Sequence, residues 1–533
     1  MLLFAAVAVW CAATAGLVVL SDAALTWYYH LAWWSYIAGA DAVHRRLGGR
    51  SLLRDEPRRL AWLALGSVAW WTAFEAINLR LGNWYYVMDP PSRAVRWTAG
   101  VLAFATVLPG IAVTVRLVES LGWLRSVPVA PLRWSVARER AVVALGAACF
   151  ALPLASPDLF FPLTWGSFVF LLEPWNSRHA RESYLRDLER GEAGPLLRVL
   201  AAGLVCGLLW EAWNHGARMK WIYTVPGFES LKIFEMPLAG FFGFPPFAVE
   251  SVVAIRSGEA LWARVPPRRK RLAATAAVVL VAAVVAAVFP AADAVTVDSF
   301  YVPVDRLSVL AAAPRERLAA AGLHSPEKLL RALRTAKGRA AQSARTGLST
   351  PELEAIRARV ALVMHRGIGD ERARQLEALG VRTVADLTRW RSADLSAALR
   401  ARGAWRRDRF LDRRVRAWVE DGRLLAGGEP GQRDDEPGLH QVEHGERAVQ
   451  RAEAARHVAG ERARREVEGA AQVTDHAAEP ERLRHHDGQR GHGQPARRAA
   501  QAPGHERARR GQPELRDRPP PEHPAVDLGG DVP

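Results

Sequence analysis

Residues 70–86, WWTAFEAINLRLGNWYY, end an apolar run with two polar side chains and a cluster of aromatic ones. Glu75 and Asn78 are three positions apart, so on a helix they are neighbours on one face. Trp84 and Tyr86 follow after a short gap that contains a glycine. The stretch predicts a helix whose end carries a polar pair and leads into an aromatic W-x-Y segment.

The same arrangement returns at residues 210–225, WEAWNHGARMKWIYTV. Four residues of the first copy have counterparts in the second, which are Glu75 and Glu211, Asn78 and Asn214, Trp84 and Trp221, and Tyr86 and Tyr223. A further match joins residues 31–41 to residues 163–173. Repeats of this kind indicate an internal duplication. We therefore expect two related membrane repeats, residues 1–130 and residues 131–262, with about four spans each and the same orientation.

Apolar stretches long enough to cross about 30 Å of hydrocarbon recur through the first part of the chain. We place spans at residues 2–20, 26–43, 60–79, 97–115, 140–156, 159–175, 197–215, 236–255 and 272–289. The last of them, residues 272–289, is an anchor helix outside the duplication. The sequence therefore predicts an all-α polytopic transmembrane bundle of eight or nine spans, followed by a soluble part.

Arginines cluster in alternate loops between these spans, a bias that is typical of cytoplasmic loops. The bias predicts a multi-pass protein of the bacterial plasma (inner) membrane with a cytoplasmic N-terminus. Nine spans place the C-terminal part outside, whereas eight would place it in the cytoplasm. The same loops supply much of the net charge of +16, which therefore does not by itself indicate nucleic acid. Near these loops, Asp41 and Glu173 are expected to form structural ion pairs with Arg46 and Arg178.

Glu75 and Glu211 lie about one turn from the outer ends of their predicted helices, and Glu235 enters from the same side. Ionisable side chains within spans are costly and normally face the bundle interior, so they are functional candidates. We expect the first two glutamates to act as acid and base at one cavity, with Asn78 and Asn214 orienting them. The alternative role is structural, because such carboxylates also lock helices together or reach headgroups and water.

Two interpretations are open for the aromatic side chains that follow the polar pairs, Trp84, Tyr86, Trp221 and Tyr223. Tryptophan and tyrosine are enriched at membrane–water interfaces, where they anchor helix ends. Their repetition after each glutamate–asparagine pair indicates instead a flat apolar wall beside two carboxylates. Such a wall would suit a long unsaturated lipid.

No metal-binding or nucleotide-binding motif occurs in the sequence, and we predict no cofactor. The three cysteines lie singly in apolar segments, which argues against a disulfide framework or a zinc site. His30 and His215 both fall near the predicted outer face, but neither has a partner at the spacing of a metal ligand. A structural role is expected for both histidines.

The acid-x-x-polar pairs, the W-x-Y segments and FEMPLAGFF at residues 234–242 together resemble the integral-membrane lycopene cyclases and related carotenoid hydratases. This resemblance implies proton-initiated cyclisation or hydration of an isoprenoid by carboxylic acids, without redox change. The sequence departs from the family pattern, because it has single glutamates, Glu75 and Glu235, where the cyclases have a paired Glu-Glu after proline. The membrane half also resembles an uncharacterised bacterial polytopic membrane family, which implies no activity.

Residues 365–390, HRGIGDERARQLEALGVRTVADLTRW, resemble a helix-hairpin-helix module. The hairpin itself consists of Gly367, Ile368 and Gly369. A degenerate copy at residues 310–330 lacks both hairpin glycines, and we predict a tandem helix-hairpin-helix domain over residues 303–424. In nucleic-acid-binding members the hairpin amides hold a phosphate, and Arg366 could help to neutralise it. The degraded copy and the predicted outer location favour a protein partner, which makes nucleic acid the less favoured one.

Residues 425–533 are dominated by Arg, Glu, Gly, His, Pro and Ala, with few apolar side chains. A segment of this composition cannot bury enough apolar surface to offset the entropy of ordering it. We expect a disordered low-complexity tail. Its composition also resembles an out-of-frame translation of GC-rich DNA, so whether the tail is genuine coding sequence is an open question.

These features together predict a cofactor-free membrane-embedded enzyme, or a binder, that acts on a long apolar, isoprenoid-like lipid through paired carboxylates. Membrane lipids are then the expected partners. Two alternatives stay open. One is a small-solute or proton-coupled transporter that uses the same carboxylates, and the other is a non-catalytic scaffold whose C-terminal domain binds protein or nucleic acid.

Overall fold

The structure is a computed structural model that describes residues 1–87, 92–225, 232–297, 302–402 and 408–427. The described chain is predominantly helical, which confirms the predicted all-α character, although four short strands also occur. The predicted disordered tail, residues 425–533, lies almost wholly outside the described residues.

Helices α1 to α12 form the N-terminal bundle. Their bounds are α1 Leu2–Val18, α2 Asp22–Arg46, α3 Pro57–Leu81, α4 Arg93–Phe104, α5 Val107–Ser120, α6 Val136–Ala155, α7 Pro157–Phe160, α8 Ser167–His179, α9 Tyr184–Glu189, α10 Gly194–Gly216, α11 Phe244–Ala263 and α12 Lys270–Ala294. Short 3₁₀ segments at Phe161–Thr164, Leu238–Gly243 and Pro267–Arg269 precede α8, α11 and α12.

Five segments among the described residues are long and apolar enough to cross a membrane. They are Pro57–Leu81, Arg93–Ser120, Gly194–Gly216, Leu238–Ala263 and Pro267–Ala294. The last of these is also the least buried in the bundle. Its apolar side chains therefore face the surroundings rather than other helices, as expected for a helix in contact with lipid.

Helix packing recurs between the two halves of the bundle. In the first half α2 contacts α1 and α5, and α3 contacts α5. In the second half α8 contacts α6 and α11, and α10 contacts α11. The pairs that the sequence repeat predicts to be equivalent therefore make equivalent contacts.

Asp41 and Glu173 have matching surroundings at the arginine-rich end of the bundle. Asp41 accepts hydrogen bonds from the Ser51 hydroxyl and from the Leu52 amide at 2.6 Å. Glu173 accepts a bond from the Ser183 hydroxyl at 2.7 Å and one from the Leu185 amide at 3.0 Å. Each carboxylate thus contacts the following loop through a serine and a backbone amide, whereas ion pairs with Arg46 and Arg178 were expected.

The two W-x-Y segments are not helix ends but strands, β1 Trp84–Val87 and β2 Lys220–Tyr223. They pair antiparallel, with Trp84 opposite Tyr223 and Tyr86 opposite Trp221. We call this pair the ribbon. Gly82, with φ 63°, ends α3 in a left-handed conformation and turns the chain into it. The strands β3 Lys232–Ile233 and β4 Met236–Pro237 form a second small hairpin.

Successive side chains along each strand point to opposite sides, so the ribbon has two different faces. Trp84, Tyr86, Trp221 and Tyr223 share the face that meets the bundle, whereas Tyr85, Val87 and Ile222 belong to the core of the C-terminal part. The sequence repeat thus builds one layer that joins the bundle to the C-terminal part.

The C-terminal domain comprises the described residues from 302 to 427. Its helices are α13 Ala312–Ala320, α14 Pro326–Ala332, α15 Ala336–Thr346, α16 Thr350–Met364, α17 Asp370–Glu377, α18 Val384–Leu387, α19 Ser392–Ala401 and α20 Leu411–Gly427. A 3₁₀ turn, His365–Gly367, separates α16 from α17. The buried side chains of this domain and of the outer ribbon face form one continuous apolar core.

Candidate functional site

A cavity of about 430 Å³ lies between the ribbon and the bundle. Its wall is mainly aromatic and includes Trp84, Tyr86, Trp221 and Tyr223 of the ribbon and Trp71, Phe104, Trp165, Trp210 and Phe247 of the bundle. The volume falls within the range of about 300–1,000 Å³ that is usual for small-molecule sites. The four aromatic residues predicted as a substrate wall therefore do line one cavity.

Broken helices shape this cavity in both halves. In the first half the Ser67 hydroxyl accepts a hydrogen bond from the Leu108 amide at 3.0 Å and donates one to the Phe104 carbonyl. Ser67 thus satisfies backbone groups at the break between α4 and α5, beside the cavity-lining Phe104. In the second half, the 3₁₀ segment Leu238–Gly243 interrupts the helical path just before α11. The helical path is thus interrupted next to the cavity in both halves.

Glu75 and Glu211 lie directly behind the aromatic wall. The Tyr86 hydroxyl donates to Glu75 Oε1 at 2.6 Å, and Trp84 Nε1 donates to the same oxygen at 3.2 Å. The Tyr223 hydroxyl donates to Glu211 Oε1 at 2.9 Å. Both carboxyl groups are buried, so each contacts the cavity through a tyrosine rather than directly.

Burial raises the pKa of Tyr86 well above its usual range, and the neighbouring Glu75 raises it further. The same two causes, burial first and Glu211 second, raise the pKa of Tyr223. Both phenols therefore stay protonated and act as hydrogen-bond donors to the carboxyl groups. The repeat has built two equivalent glutamate–tyrosine pairs on one wall.

Asn78 and Asn214 form hydrogen bonds with the ribbon, whereas sequence analysis expected them to orient the glutamates. Asn78 Nδ2 donates to the Trp84 carbonyl at 2.9 Å, and its Oδ1 accepts from the Asn83 amide at 2.9 Å. Asn214 Nδ2 donates to the Trp221 carbonyl at 3.0 Å, and its Oδ1 accepts from the Trp221 amide at 2.9 Å. Each asparagine thus positions the strand that carries the tyrosine partner of its own glutamate.

We predict that Asn78→Ala and Asn214→Ala each destabilise the protein by about 2 kcal/mol or more, because each leaves a buried backbone N–H and C=O without a partner. Urea unfolding of the full chain in detergent, followed by tryptophan fluorescence, measures the loss. The two variants serve as controls for each other. A large loss in one variant and none in the other would refute the equivalent roles.

Glu235, the fifth predicted site residue, is not part of this wall. It is buried and forms an ion pair with Arg366 of the C-terminal domain. Arg366 also lies 3.5 Å from Asp421. Nearby, burial lowers the pKa of Lys220 to about 8, although Glu235 acts in the opposite direction. The observed contacts of Glu235 are those of a residue that joins the domain to the bundle.

The predicted hairpin, Gly367, Ile368 and Gly369, faces the ribbon. A Cβ atom at position 367 would lie 2.3 Å from Val87 Cγ1, so only glycine allows this close approach. Gly367 has φ 68°, which also favours glycine. The Tyr85 hydroxyl donates to the carbonyl of Arg366. The hairpin surface, which holds a phosphate in nucleic-acid-binding modules, is thus covered by the chain's own ribbon. Arg366 is buried there.

Two further residues lie at this site that sequence analysis did not place there. Tyr29 and His30 of α2 line the cavity, although nothing in the sequence linked α2 to the W-x-Y segments. Outside the cavity lining, Glu250 of α11 accepts hydrogen bonds from the amides of Gly166 and Phe168 at 2.9 and 3.4 Å. Because these amides begin α8, Glu250 supplies an N-terminal cap from another helix. No group of three or more metal-ligating side chains is found among the residues that the structure describes.

Residues 310–425 match a family described as a domain of unknown function (DUF4332). The match covers most of the C-terminal domain and none of the bundle, so it assigns no activity to the cavity. No curated protein and no solved structure matches the chain. The resemblance to lycopene cyclases therefore has no support from these comparisons.

Proposed function

We propose that the protein is a cofactor-free integral membrane enzyme, or a binder, that acts on a long apolar, isoprenoid-like lipid in the aromatic cavity. The observation that carries this proposal is the repeated glutamate–tyrosine pair on one wall of that cavity. Aromatic walls suit an extended apolar ligand, and a few convergent polar groups give it orientation. The two pairs, Glu75 with Tyr86 and Glu211 with Tyr223, supply those groups.

Each pair can relay a proton. A phenol that donates to a carboxylate can pass its proton to that carboxylate while its oxygen takes a proton from the lipid. With a protonated carboxyl group the same relay runs in reverse. One pair acting as acid and the other as base could then move a double bond or start a cyclisation without redox change.

The proposed setting is the bacterial plasma membrane, with nine spans and a cytoplasmic N-terminus. The five apolar segments and the arginine-rich loops support it. The helix ends beside those loops are joined by ion pairs such as Arg116–Glu56 at 2.7 Å and Arg59–Glu259 at 2.9 Å. The C-terminal domain packs at the ribbon end, to which α3 and α10 run from these loops. This placement supports an outer location for the domain.

A second candidate function, a proton-coupled transporter, is favoured by the breaks between α4 and α5 and before α11. Discontinuous helices in corresponding positions of two repeats are typical of transporter binding sites. A non-catalytic scaffold has less support, because the hairpin considered for partner binding faces the ribbon. Uptake of a labelled solute into proteoliposomes with a proton gradient would favour the transporter over the enzyme.

We expect lipid extracts from cells that express the full chain to differ from extracts of cells without it. The double variant Glu75→Gln and Glu211→Gln should reduce that difference at least about 100-fold, because general acid–base catalysis contributes about 10²–10⁴ in rate. Mass spectrometry of the extracts measures the effect. The control is Glu189→Gln, at an exposed glutamate in α9. Extracts of the double variant that match the wild type would contradict the enzymatic proposal.

A further inference from the structure

Only a small part of the cavity wall reaches the molecular surface. Among the described lining residues, Pro162, Ala239 and Phe242 are exposed, and the others are buried or half-buried. Phe242 is 82% exposed although it lines the cavity. Pro162 belongs to the 3₁₀ segment Phe161–Thr164, and the other two residues belong to the 3₁₀ segment Leu238–Gly243. These two segments therefore flank the mouth of the cavity.

The two segments approach each other closely at their ends. Trp165, which follows the first segment and lines the cavity, would lie 3.2 Å from a Cβ atom at Gly243, the last residue of the second. Hydrogen bonds in 3₁₀ turns have poorer geometry than those in α-helices. The mouth is thus bounded by turns that yield more readily than the long helices of the bundle.

The surroundings of the mouth are apolar. Leu163 and Leu238, the chain neighbours of Pro162 and Ala239, are also exposed, with relative exposures of 36% and 42%. The segment Leu238–Ala263 is long and apolar enough to cross a membrane, and it includes one whole side of the mouth. Apolar side chains that point outward from such a segment face hydrocarbon. The mouth therefore opens toward lipid.

An ion pair places the mouth near the C-terminal domain. Asp158, which lies shortly before the segment Phe161–Thr164, contacts Arg413 of that domain at 2.7 Å. This side of the mouth therefore lies at the domain end of the bundle. In the proposed topology that end meets the outer leaflet.

We propose that the lipid enters the cavity sideways from the outer leaflet, through the gap between Phe161–Thr164 and Leu238–Gly243. Its source is then the hydrocarbon of the bilayer rather than water or a soluble carrier. This inference rests on the proposed function, and it deepens that function by naming where the ligand comes from. A lipid that uses this gap moves from one apolar environment to another, so it never exposes its apolar surface to water.

The test places a bulky group at the mouth. Phe242→Cys is made in the full chain together with Cys11→Ala, because Cys11 is exposed whereas Cys149 and Cys206 are buried. The new thiol is coupled to N-cyclohexylmaleimide in mild detergent. The matched control, Leu280→Cys in the same Cys11→Ala chain, carries the same group at an exposed position of α12 outside the cavity lining.

Each protein is reconstituted into vesicles that contain phytol, a branched isoprenoid alcohol, and is left to equilibrate. Deuterated phytol is then added to the same vesicles, and native mass spectrometry reads the bound fraction of each form at set times. We expect coupling at position 242 to slow the exchange at least about tenfold, because the added group occupies a passage between close-packed walls. The occupancy at equilibrium should stay similar. Coupling at position 280 should change neither quantity.

An unchanged exchange rate after coupling at position 242, with phytol bound, would overturn the sideways entry and leave the lipid site standing. Faster exchange with lower occupancy would show that position 242 holds the ligand rather than its passage, and would also overturn the inference. Equal slowing in the Leu280→Cys control would do the same. If the uncoupled protein carries no phytol, the proposed function itself fails, and the inference fails with it.

Discussion

Replacing Arg366 by methionine should destabilise the full chain by about 3–5 kcal/mol, because it removes the guanidinium that pairs with the buried Glu235 carboxylate. The side chains of Arg366 and Glu235 are only 4% and 2% exposed, so water cannot replace the lost partner. Arg366 has φ 48°. Since arginine and methionine are both unbranched at Cβ, the backbone strain is similar in the two proteins.

The double variant Arg366→Met and Glu235→Met distinguishes the effect of an unpaired buried charge from the effect of changed side-chain packing. Replacing a buried ion pair by apolar side chains of similar volume is often neutral or stabilising. We therefore expect the double variant to regain most of the stability that Arg366→Met loses. Pulse proteolysis in a urea series, with the full chain in mild detergent, measures all three proteins. A loss below about 1 kcal/mol in Arg366→Met would show that the pair does not hold the domain.

The ion pair has a consequence for the role of the C-terminal domain. The ribbon shares one apolar core with this domain on one face and lines the cavity on the other. Arg366 and Gly367, which looked like a phosphate site, contact this ribbon instead. The domain therefore positions the ribbon that carries Tyr86 and Tyr223, although neither Arg366 nor Gly367 lines the cavity.

Much of the bundle was accessible from sequence because helical patterns and repeats are local signals. The helical class is confirmed. Glu75 and Glu211, which the sequence repeat predicts to be equivalent, accept equivalent hydrogen bonds from Tyr86 and Tyr223. The candidate site residues themselves stay predictions. Their positions in the fold are now known, and four aromatic residues and two glutamates do converge on one wall.

The ribbon could not be predicted, because its strands are four residues long and come from opposite halves of the bundle. Such a strand has too few residues for a periodic pattern, and its pairing depends on the helices that bring the two ends together. The hydrogen bonds of the two asparagines could not be predicted for the same reason, since their partners Trp84 and Trp221 lie on strands. Ser67 escaped notice because the break that it satisfies, between α4 and α5, falls inside the span predicted at residues 97–115, where the signal from Pro109 was not used.

The pair of Glu235 and Arg366 was also beyond sequence analysis. Each residue had a local pattern that favoured a function, a carboxylate at the predicted cavity for Glu235 and a phosphate contact for Arg366. Their contact joins positions that are far apart in the chain. Buried charges at functional sites and at domain contacts look alike in a sequence, and only the fold separates the two cases.

Filling the cavity should remove its ligand almost completely. Ala239 lines the cavity and is exposed, so a tryptophan there adds a large ring at the wall without displacing a packed core side chain. Surface substitutions away from packed features usually change stability by less than about 0.5 kcal/mol. We therefore expect Ala239→Trp to fold normally. It should bind lipid at least about 100-fold more weakly, because the added ring takes space that the lipid needs and close-packed walls move apart only at a large cost in free energy.

Native mass spectrometry of the full chain, purified from membranes in mild detergent, tests the lipid cavity most directly. The matched control is Ala148→Trp, an exposed position of α6 that does not line the cavity. We predict that the wild type and Ala148→Trp carry one bound apolar lipid and that Ala239→Trp carries none. A wild type without bound lipid, or equal lipid occupancy in all three proteins, would contradict the account.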